Sequence, residues 1–189
     1  MGHEGPLFAI VGPSGSGKDT LIRWIKERLR GHDDVLFVRR LITRAADDEN
    51  EDHEAVSLKA FEEGVKDGRF VVHWHAHGLF YALPESARAH VKGGGIAIAN
   101  GSRAALPEFR KRFQNLHVLH VMVDDETLAT RLAARGRESS AEIKSRLARS
   151  KIVPDLGPGV IDIDNSGPVE RAGQRVLDLI EKARRHEPV

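Results

Sequence analysis

The sequence contains no cysteine, which excludes disulfide bonds and thiolate metal sites. It has no apolar run close to the roughly 20 residues that a membrane span needs. The first residues, MGHEGPLFAIVG, lack the basic start and long apolar stretch of a secretory signal. A formal net charge of +1 is a small basic surplus for a general nucleic-acid binder. We therefore expect a cytoplasmic protein with neither nucleic acid nor a membrane as its partner.

Strand and helix patterns alternate along the 189 residues, a length that suits one domain with a buried core. Apolar or alternating segments predict strands over Leu7–Val11, Val35–Thr43, Phe70–His77, Ile96–Ala99, His117–Val123 and Val160–Ile163. Helical periodicity is found over 21–29, 57–68, 84–92, 106–113 and 127–134, after the capping box at 139–142, and from 168 onward. The acidic stretch Asp47–Glu54 is interpreted as a solvated loop. This alternation predicts an α/β fold whose parallel sheet is covered by helices on both faces.

The segment GPSGSGKDT lies between the first predicted strand and the first predicted helix. Its spacing, G-x-x-x-x-G-K, is typical of a phosphate-binding loop, in which backbone N–H groups and a helix N-terminus surround the anion. Lys18 would reach the outer phosphates of a nucleoside triphosphate and act in catalysis. The predicted ATP-binding residues of this segment are Gly12, Pro13, Ser14, Gly15, Ser16, Gly17, Lys18, Asp19 and Thr20.

Asp19 stands where the loop motif has a hydroxyl residue, and Thr20 follows one position later. A carboxylate oxygen is a hard ligand that suits Mg²⁺, although it repels phosphate. Asp19 could therefore hold the metal of Mg²⁺-ATP, or Thr20 could do so through a metal-bound water. Helix capping by Asp19 without a metal is the alternative. Small kinases related to adenylate kinase also have a non-hydroxyl residue before the threonine, so the substitution leaves the loop prediction intact.

Arginines cluster between the helix that ends near residue 134 and the helix that follows it. Guanidinium groups bind phosphate with two donors and stay charged, which suits the transition state of phosphoryl transfer. We therefore predict a lid over the triphosphate whose arginines bind phosphate, with Arg131 and Arg137 assigned to ATP and with Arg135 and Arg146 as further members of the cluster. A solvated basic helix face is the alternative, and the phosphate loop in the same chain favours the lid.

Four segments, in this order, resemble the guanylate kinase family over almost the whole chain: GPSGSGK, Thr43-Arg44, HGLFY ending at Tyr81, and RLAARG at the predicted lid. The resemblance implies that Arg44 and Tyr81 bind the phosphate of the acceptor, and that Arg135 and Arg146 bind the transferred group. It also implies a P-loop fold of the nucleoside-monophosphate-kinase type with a five-stranded parallel sheet. The corresponding single domain has a core of about 1–43 and 83–189, an acceptor-binding insertion of about 44–82 and a lid of about 135–141.

The positions that read guanine in that family are different here. A serine and two acidic residues are replaced by Arg40, Val72 and Ile98, while a second phosphate-binding arginine becomes Asp47 and a motif tyrosine becomes His53. Valine and isoleucine cannot accept hydrogen bonds from guanine, and each unpaired N–H group would cost about 1–3 kcal/mol. We therefore expect guanine recognition to be lost.

The remaining pattern, R-x-I-T-R, H-x-H-G, N-G-S-R and GKD, resembles the ribose 1,5-bisphosphate phosphokinases of phosphonate degradation. That resemblance implies ATP-dependent formation of 5-phosphoribosyl 1-diphosphate (PRPP) with release of ADP. A sugar bisphosphate carries two phosphates and hydroxyl groups, so its site should hold arginines and neutral hydrogen-bonding residues. The predicted acceptor-binding residues are Arg40, Arg44, His75, His77, Tyr81, Asn100, Ser102 and Arg103.

Three alternatives to this interpretation stay open. His73, His75 and His77 share one face of the predicted strand, but side chains about 7 Å apart on one strand converge poorly on a metal ion. Acceptor hydrogen bonds or packing are therefore favoured for them. The function could also be that of a guanylate kinase, making GDP and ADP from GMP and ATP, or of a non-catalytic guanylate-kinase-like interaction module. Both a monomer and a homodimer are compatible with the sequence.

Overall fold

The computed structural model describes residues 3–44, 52–134 and 156–189. The strands are β1 (Leu7–Val11), β2 (Val35–Val38), β3 (Arg40–Ile42), β4 (His53–Ala55), β5 (Phe70–Ala76), β6 (Leu79–Pro84), β7 (Ile96–Asn100), β8 (Leu116–Met122) and β9 (Val160–Asp164). The α-helices are α1 (Lys18–Arg28), α2 (Leu58–Lys66), α3 (Glu85–Lys92), α4 (Leu106–Arg112), α5 (Asp125–Ala134) and α6 (Val169–Arg184). Within these ranges, no helix is long and apolar enough to cross a membrane.

A five-stranded sheet has the strand order β2-β7-β1-β8-β9. The β2–β7 and β8–β9 pairs are parallel. Every residue of β1 and of β7 is buried, as expected for short apolar strands that are covered on both faces. The predicted α/β fold with a five-stranded parallel sheet is therefore confirmed.

The chain divides into two compact units. The first unit consists of Met1–Ala9 with Leu29–His117, and the second consists of Ile10–Arg28 with Val118–Val189. The first unit contains a further sheet of four strands in the order β4-β3-β6-β5, in which β3 is parallel to β4 and antiparallel to β6. Strands β5 and β6 form a hairpin, whose turn residues His77 and Gly78 have φ values of 54° and 75°. Positive φ at both central residues is typical of the two-residue turns that match strand twist.

At this second sheet one predicted strand is divided in two, another ends one residue earlier than predicted, and one strand was not predicted. The segment Val35–Thr43 is not one strand, because the chain leaves the five-stranded sheet at Arg39 and continues as β3 in the other sheet. The strand predicted to reach His77 ends at Ala76, and the return strand β6 was not predicted.

The prediction of a solvated loop over Asp47–Glu54 is also wrong in its described part. His53 and Glu54 belong to β4, which pairs in parallel with β3, and the His53 side chain is buried. Polar composition concealed this short edge strand, whose pairing depends on β3 rather than on its own apolar pattern. Asp47 lies outside the described residues.

In the second unit, helices α1 and α6 pack closely because Gly173 leaves space for an aromatic ring. A Cβ atom at Gly173 would lie 2.3 Å from Cε3 of Trp24. The Arg28 guanidinium also lies over the ring, 3.3 Å from the centroid of Trp24. The Trp24 ring therefore contacts both a cation of its own helix and the surface of α6.

We expect Gly173→Ala to lower the free energy of unfolding by about 1–2 kcal/mol. Overpacking of a tight contact costs about 1–3 kcal/mol, which exceeds the helix propensity that alanine gains over glycine, about 0.5–1 kcal/mol. Urea denaturation measures the difference. Arg175→Ala on the exposed side of the same helix is the control and should change stability by less than about 0.5 kcal/mol. Unchanged or increased stability of Gly173→Ala would contradict the packing argument.

Candidate functional site

The glycine loop predicted to bind phosphate lies in the second unit, between the end of β1 and the start of α1 at Lys18. Gly15 and Gly17 have φ values of 92° and 86°, in the left-handed region that favours glycine. The N–H group of Ser16 donates to the carbonyl oxygen of Pro13 at 3.2 Å, which closes a turn inside the loop. The local sequence therefore forms the glycine-dependent loop that precedes a helix in phosphate-binding sites.

The side chain of Lys18 is held across the first part of this loop. Its Nζ atom donates to the carbonyl oxygens of Gly12 and Pro13, both at 3.0 Å. The residue is half-buried, so the ammonium group keeps partial access to solvent. Two backbone acceptors thus fix the position of the charge in a loop whose predicted ligand is an anion.

Two side chains hold the other end of the loop through the carbonyl oxygen of Ser16. Asn165 donates to it from Nδ2 at 2.7 Å, and Arg131 donates from Nη1 at 3.4 Å. Arg131 also donates from Nη2 to the carbonyl oxygen of Asn165 at 2.9 Å. The structure thus brings Arg131, predicted to bind ATP, to the loop. The other predicted arginines of this group, Arg135, Arg137 and Arg146, lie outside the described residues.

Asn165 was missed by sequence reasoning. It directly follows β9, and its side chain is 2% exposed. The available signal was its position, since polar residues just beyond the carboxyl ends of parallel strands lie where ligands bind in open α/β sheets.

Two ionised carboxylates stabilise the turn that carries Asn165. Hydrogen bonds from the side chain and the backbone N–H of Ser166 hold the pKa of Asp164 below its ordinary value. The pKa of Asp124 is lowered as well, first by the backbone N–H of Thr127 and then by the Thr127 hydroxyl. The N–H group of Asp124 in turn donates to Oγ of Ser166 at 3.0 Å. Both carboxylates are therefore charged at neutral pH, and the turn is fixed on both sides.

The candidate magnesium ligands Asp19 and Thr20 lie in the first turn of α1, where Asp19 is half-buried and Thr20 is exposed. Across 3–44, 52–134 and 156–189, no group of three His, Asp or Glu residues could hold a metal ion. Mg²⁺ is usually bound by one or two protein oxygens together with substrate phosphates and waters. A carboxylate and a hydroxyl group beside a phosphate loop fit that mode of binding.

Two of the predicted acceptor-binding residues, Arg40 and Tyr81, lie together on one face of the four-stranded sheet. Ile42 pairs with Tyr81, Tyr81 pairs with Trp74, and Arg40 lies two residues from Ile42 on β3. Directly paired and alternate residues share a face of a sheet. The Arg40 guanidinium lies 5.3 Å from the centroid of the Tyr81 ring and 5.9 Å from that of Trp74. Arg40 is 8% exposed, so its charge is buried against two stacked aromatic rings.

The predicted acceptor residues His75 and His77 are not brought to this face. His75 pairs with Phe80, whose ring centroid lies 4.8 Å from its own, on the opposite side of the sheet from Tyr81. His77 lies in the hairpin turn rather than in the strand, and both histidines are exposed. The prediction that His77 shares a strand face with His73 and His75 is therefore wrong, because the strand ends one residue earlier.

Arg44 lines a pocket of about 490 Å³ in the first unit. The Thr43 side chain joins the end of β3 to β6 by accepting a hydrogen bond from the N–H of Phe80 at 2.9 Å. The opposite wall is the start of α2, where Oγ of Ser57 accepts from the N–H of Ala60 at 3.1 Å. The lining residues are Thr43, Arg44, Ala55, Val56, Ser57, Leu58, Gly78 and Phe80. The pocket thus combines a guanidinium group with a helix N-terminus, both of which favour anions.

The other predicted acceptor residues lie at the end of β7 and just after it. Asn100 is the last residue of the strand and is 8% exposed. Ser102 and Arg103 come next and are half-buried, and burial lowers the pKa of the Arg103 guanidinium. Val72 and Ile98 are each 2% exposed, with apolar side chains in the interior. Neither position can offer an acceptor to a nucleobase.

Solved structures of kinases share this fold. A guanylate kinase from Anaplasma phagocytophilum aligns with a TM-score of 0.72 and 17% identity, covering 95% of this chain and 86% of its own. A sugar kinase from Janibacter sp. aligns with a TM-score of 0.53 and 17% identity, covering 98% of this chain and 99% of its own. Together with the glycine loop, these alignments define the fold as the P-loop fold of the nucleoside-monophosphate-kinase type.

Curated relatives define the family more narrowly. The ribose 1,5-bisphosphate phosphokinase PhnN of Agrobacterium fabrum is 41% identical over 177 residues, covering 94% of this chain and 97% of the relative. The enzymes of the same name from Rhizobium etli and Thiobacillus denitrificans are 42% and 39% identical over 95% of this chain, and over 91% and 95% of their own lengths. No protein-family model matches the chain. The chain belongs to the ribose 1,5-bisphosphate phosphokinase (PhnN) family, and the resemblance seen in its sequence is confirmed.

Proposed function

We propose that the protein transfers the γ-phosphoryl group of ATP to the 1-phosphate of ribose 1,5-bisphosphate, giving PRPP and ADP. The observation that carries this proposal is 41% identity to a curated enzyme of that name over nearly the full length of both chains. An oxygen of the 1-phosphate forms the new bond to the γ-phosphorus while the bond to the bridging oxygen of ADP breaks. That oxygen is already ionised at neutral pH, so the reaction needs no general base.

The donor side of this reaction uses the glycine loop. The backbone of Gly12–Gly17 surrounds the phosphates of ATP, and Lys18 neutralises charge on the group that is transferred. Arg131 lies at the same loop through its hydrogen bond to Ser16. Mg²⁺ bound with ATP would neutralise the charge of the β- and γ-phosphates, with Asp19 or Thr20 as its protein ligand.

The acceptor side uses the cations of the first unit. Arg44, in a pocket that also contains the N-terminus of α2, binds one phosphate of the sugar. Arg40, buried against Tyr81 and Trp74, is the cation that we assign to the second phosphate. Three residues at the end of β7 and just after it, Asn100, Ser102 and Arg103, offer hydrogen bonds to the sugar hydroxyls. His75, whose ring lies against Phe80, and His77, which precedes Gly78, lie beside two residues that line the Arg44 pocket, so we keep both as candidate contacts of the phosphate bound there.

An ADP-release assay with three acceptors tests the function. Ribose 1,5-bisphosphate should support turnover, whereas ribose 5-phosphate lacks the attacking phosphate and should give only the background rate. GMP should also remain near background, because the buried Val72 and Ile98 cannot pair with guanine. Faster turnover with GMP than with the sugar bisphosphate would overturn the proposal.

Location in the cytoplasm and a monomeric or homodimeric state stay predictions of the sequence.

A further inference from the structure

Asn165 is a buried amide to which the proposed function assigns no role. Its side chain is 2% exposed and lies directly against the glycine loop, since a Cβ atom at Gly17 would be 2.6 Å from its Nδ2 atom. Its backbone N–H donates to the carbonyl oxygen of Met122 at 2.8 Å, which anchors the residue to the end of β8. The amide is thus attached to the rigid sheet at one side and to the loop at the other.

The hydrogen bond from Asn165 determines the orientation of one peptide group in the loop. No cis peptide bond occurs in the described ranges, so the Ser16–Gly17 peptide is trans. In a planar trans peptide, the carbonyl and N–H groups point in opposite directions. Asn165 and Arg131 both donate to the Ser16 carbonyl, and the N–H of Gly17 therefore points away from them. A donor on the carbonyl also polarises the peptide and strengthens its N–H as a donor.

The distance between the Asn165 side chain and the Ser16 carbonyl oxygen shows which end of the amide faces the loop. The atom 2.7 Å from the Ser16 carbonyl oxygen must be the NH₂ group, because an oxygen there would face another oxygen. The Oδ1 atom of Asn165 is buried and accepts no hydrogen bond among the described residues. An orphaned acceptor is a cost that a purely structural position would be expected to avoid. The contact with Ser16 is therefore the feature that requires an amide here.

We propose that Asn165 is a positioning residue for the nucleotide. It holds the Ser16 carbonyl outward so that the N–H of Gly17 is presented to a phosphate of the bound nucleoside di- or triphosphate. This inference rests on the proposed function, in which the loop binds ATP. Arg131 assists through its longer bond to the same carbonyl, so the loss of Asn165 weakens the orientation without abolishing the loop.

Asn165→Asp tests the inference, because aspartate has the same shape but lacks the donor and places a negative charge beside the loop. We expect the Kd of ADP, measured by titration calorimetry, to rise at least about tenfold, the equivalent of one lost hydrogen bond together with charge repulsion. The KM for ATP should rise in parallel, while the KM for the sugar bisphosphate stays unchanged. Asn115→Asp is the matched control, because Asn115 also donates from Nδ2 to a backbone carbonyl, that of Glu4, but lies in the first unit.

A variant that unfolds earlier on heating but binds ADP as tightly as the wild type below its Tm would overturn the inference and leave a structural role only. If Asn165→Asp does not fold, Asn165→Ala removes the donor without adding charge, and a Kd for ADP raised about fivefold is expected. An unchanged Kd for Asn165→Ala would overturn the inference equally. A wild-type protein that binds no ADP or ATP would instead refute the proposed function, so the two failures can be told apart.

Discussion

Replacing Lys18 with alanine should lower kcat by about 100- to 1,000-fold, the loss seen when one charge-stabilising donor is removed from an active site. The Nζ atom donates to the carbonyl oxygens of Gly12 and Pro13, so the charge is held at the loop that is proposed to bind the nucleotide. Its loss should affect the transition state most, where negative charge spreads over the transferred group. Steady-state ADP release with saturating ATP and acceptor measures the effect.

The matched control for this variant is Lys26→Ala, which removes an exposed lysine from the last turn of the same helix. Its kcat should stay within about twofold of the wild type. Lys18 is half-buried, so Lys18→Ala should remain folded with a change in unfolding free energy of about 1 kcal/mol or less. A folded Lys18→Ala variant with wild-type kcat would remove the loop from the mechanism.

Replacing Arg44 with alanine should raise the KM for ribose 1,5-bisphosphate by about 10- to 100-fold and leave the KM for ATP unchanged. A hydrogen bond to a charged group contributes about 1.5–3 kcal/mol, which corresponds to this range. Arg44 lines the pocket at the end of β3, in the unit that carries the other proposed acceptor residues. Initial rates measured over a matrix of ATP and acceptor concentrations separate the two constants.

Lys59→Ala is the control for the acceptor prediction. Lys59 is an exposed cation on α2, next to the pocket residue Leu58. Its removal therefore measures how much the loss of one positive charge near the pocket changes the acceptor KM when no proposed phosphate contact is lost. Its effect on the acceptor KM should be no more than about twofold, because exposed charges are well screened. An Arg44→Ala effect confined to ATP would assign Arg44 to the donor side and refute its proposed role.

The sequence was sufficient where structure is determined by neighbouring residues. The apolar run of β1 and the glycine loop follow from local patterns, and the structure has them at the predicted places, while α1 begins at Lys18, three residues before the predicted periodicity. That Arg40 and Tyr81 lie close together could be expected only from the family resemblance, because their contact joins strands that are far apart in the chain.

Other features depend on tertiary contacts that no local pattern contains. The exchange of sheets at Arg39 occurs between two apolar segments, Val35–Val38 and Leu41–Ile42, that only two arginines separate, so β2 and β3 look like one strand. Alternation correctly places His73 and His75 on one face, but only the pairing of β5 with β6 shows that this face is opposite to Tyr81. Asn165 is 149 positions from Ser16, and its hydrogen bond was therefore invisible in the sequence.

The central claim is that the acceptor is a sugar bisphosphate rather than a nucleotide. Its most direct test is a competition in which the wild-type protein receives Mg²⁺-ATP with equal concentrations of ribose 1,5-bisphosphate and GMP, followed by ³¹P NMR. We expect the signals of a diphosphate on the sugar and of ADP to grow together while the GMP signal stays constant. Growth of GDP signals with the sugar bisphosphate left unconsumed would contradict the claim.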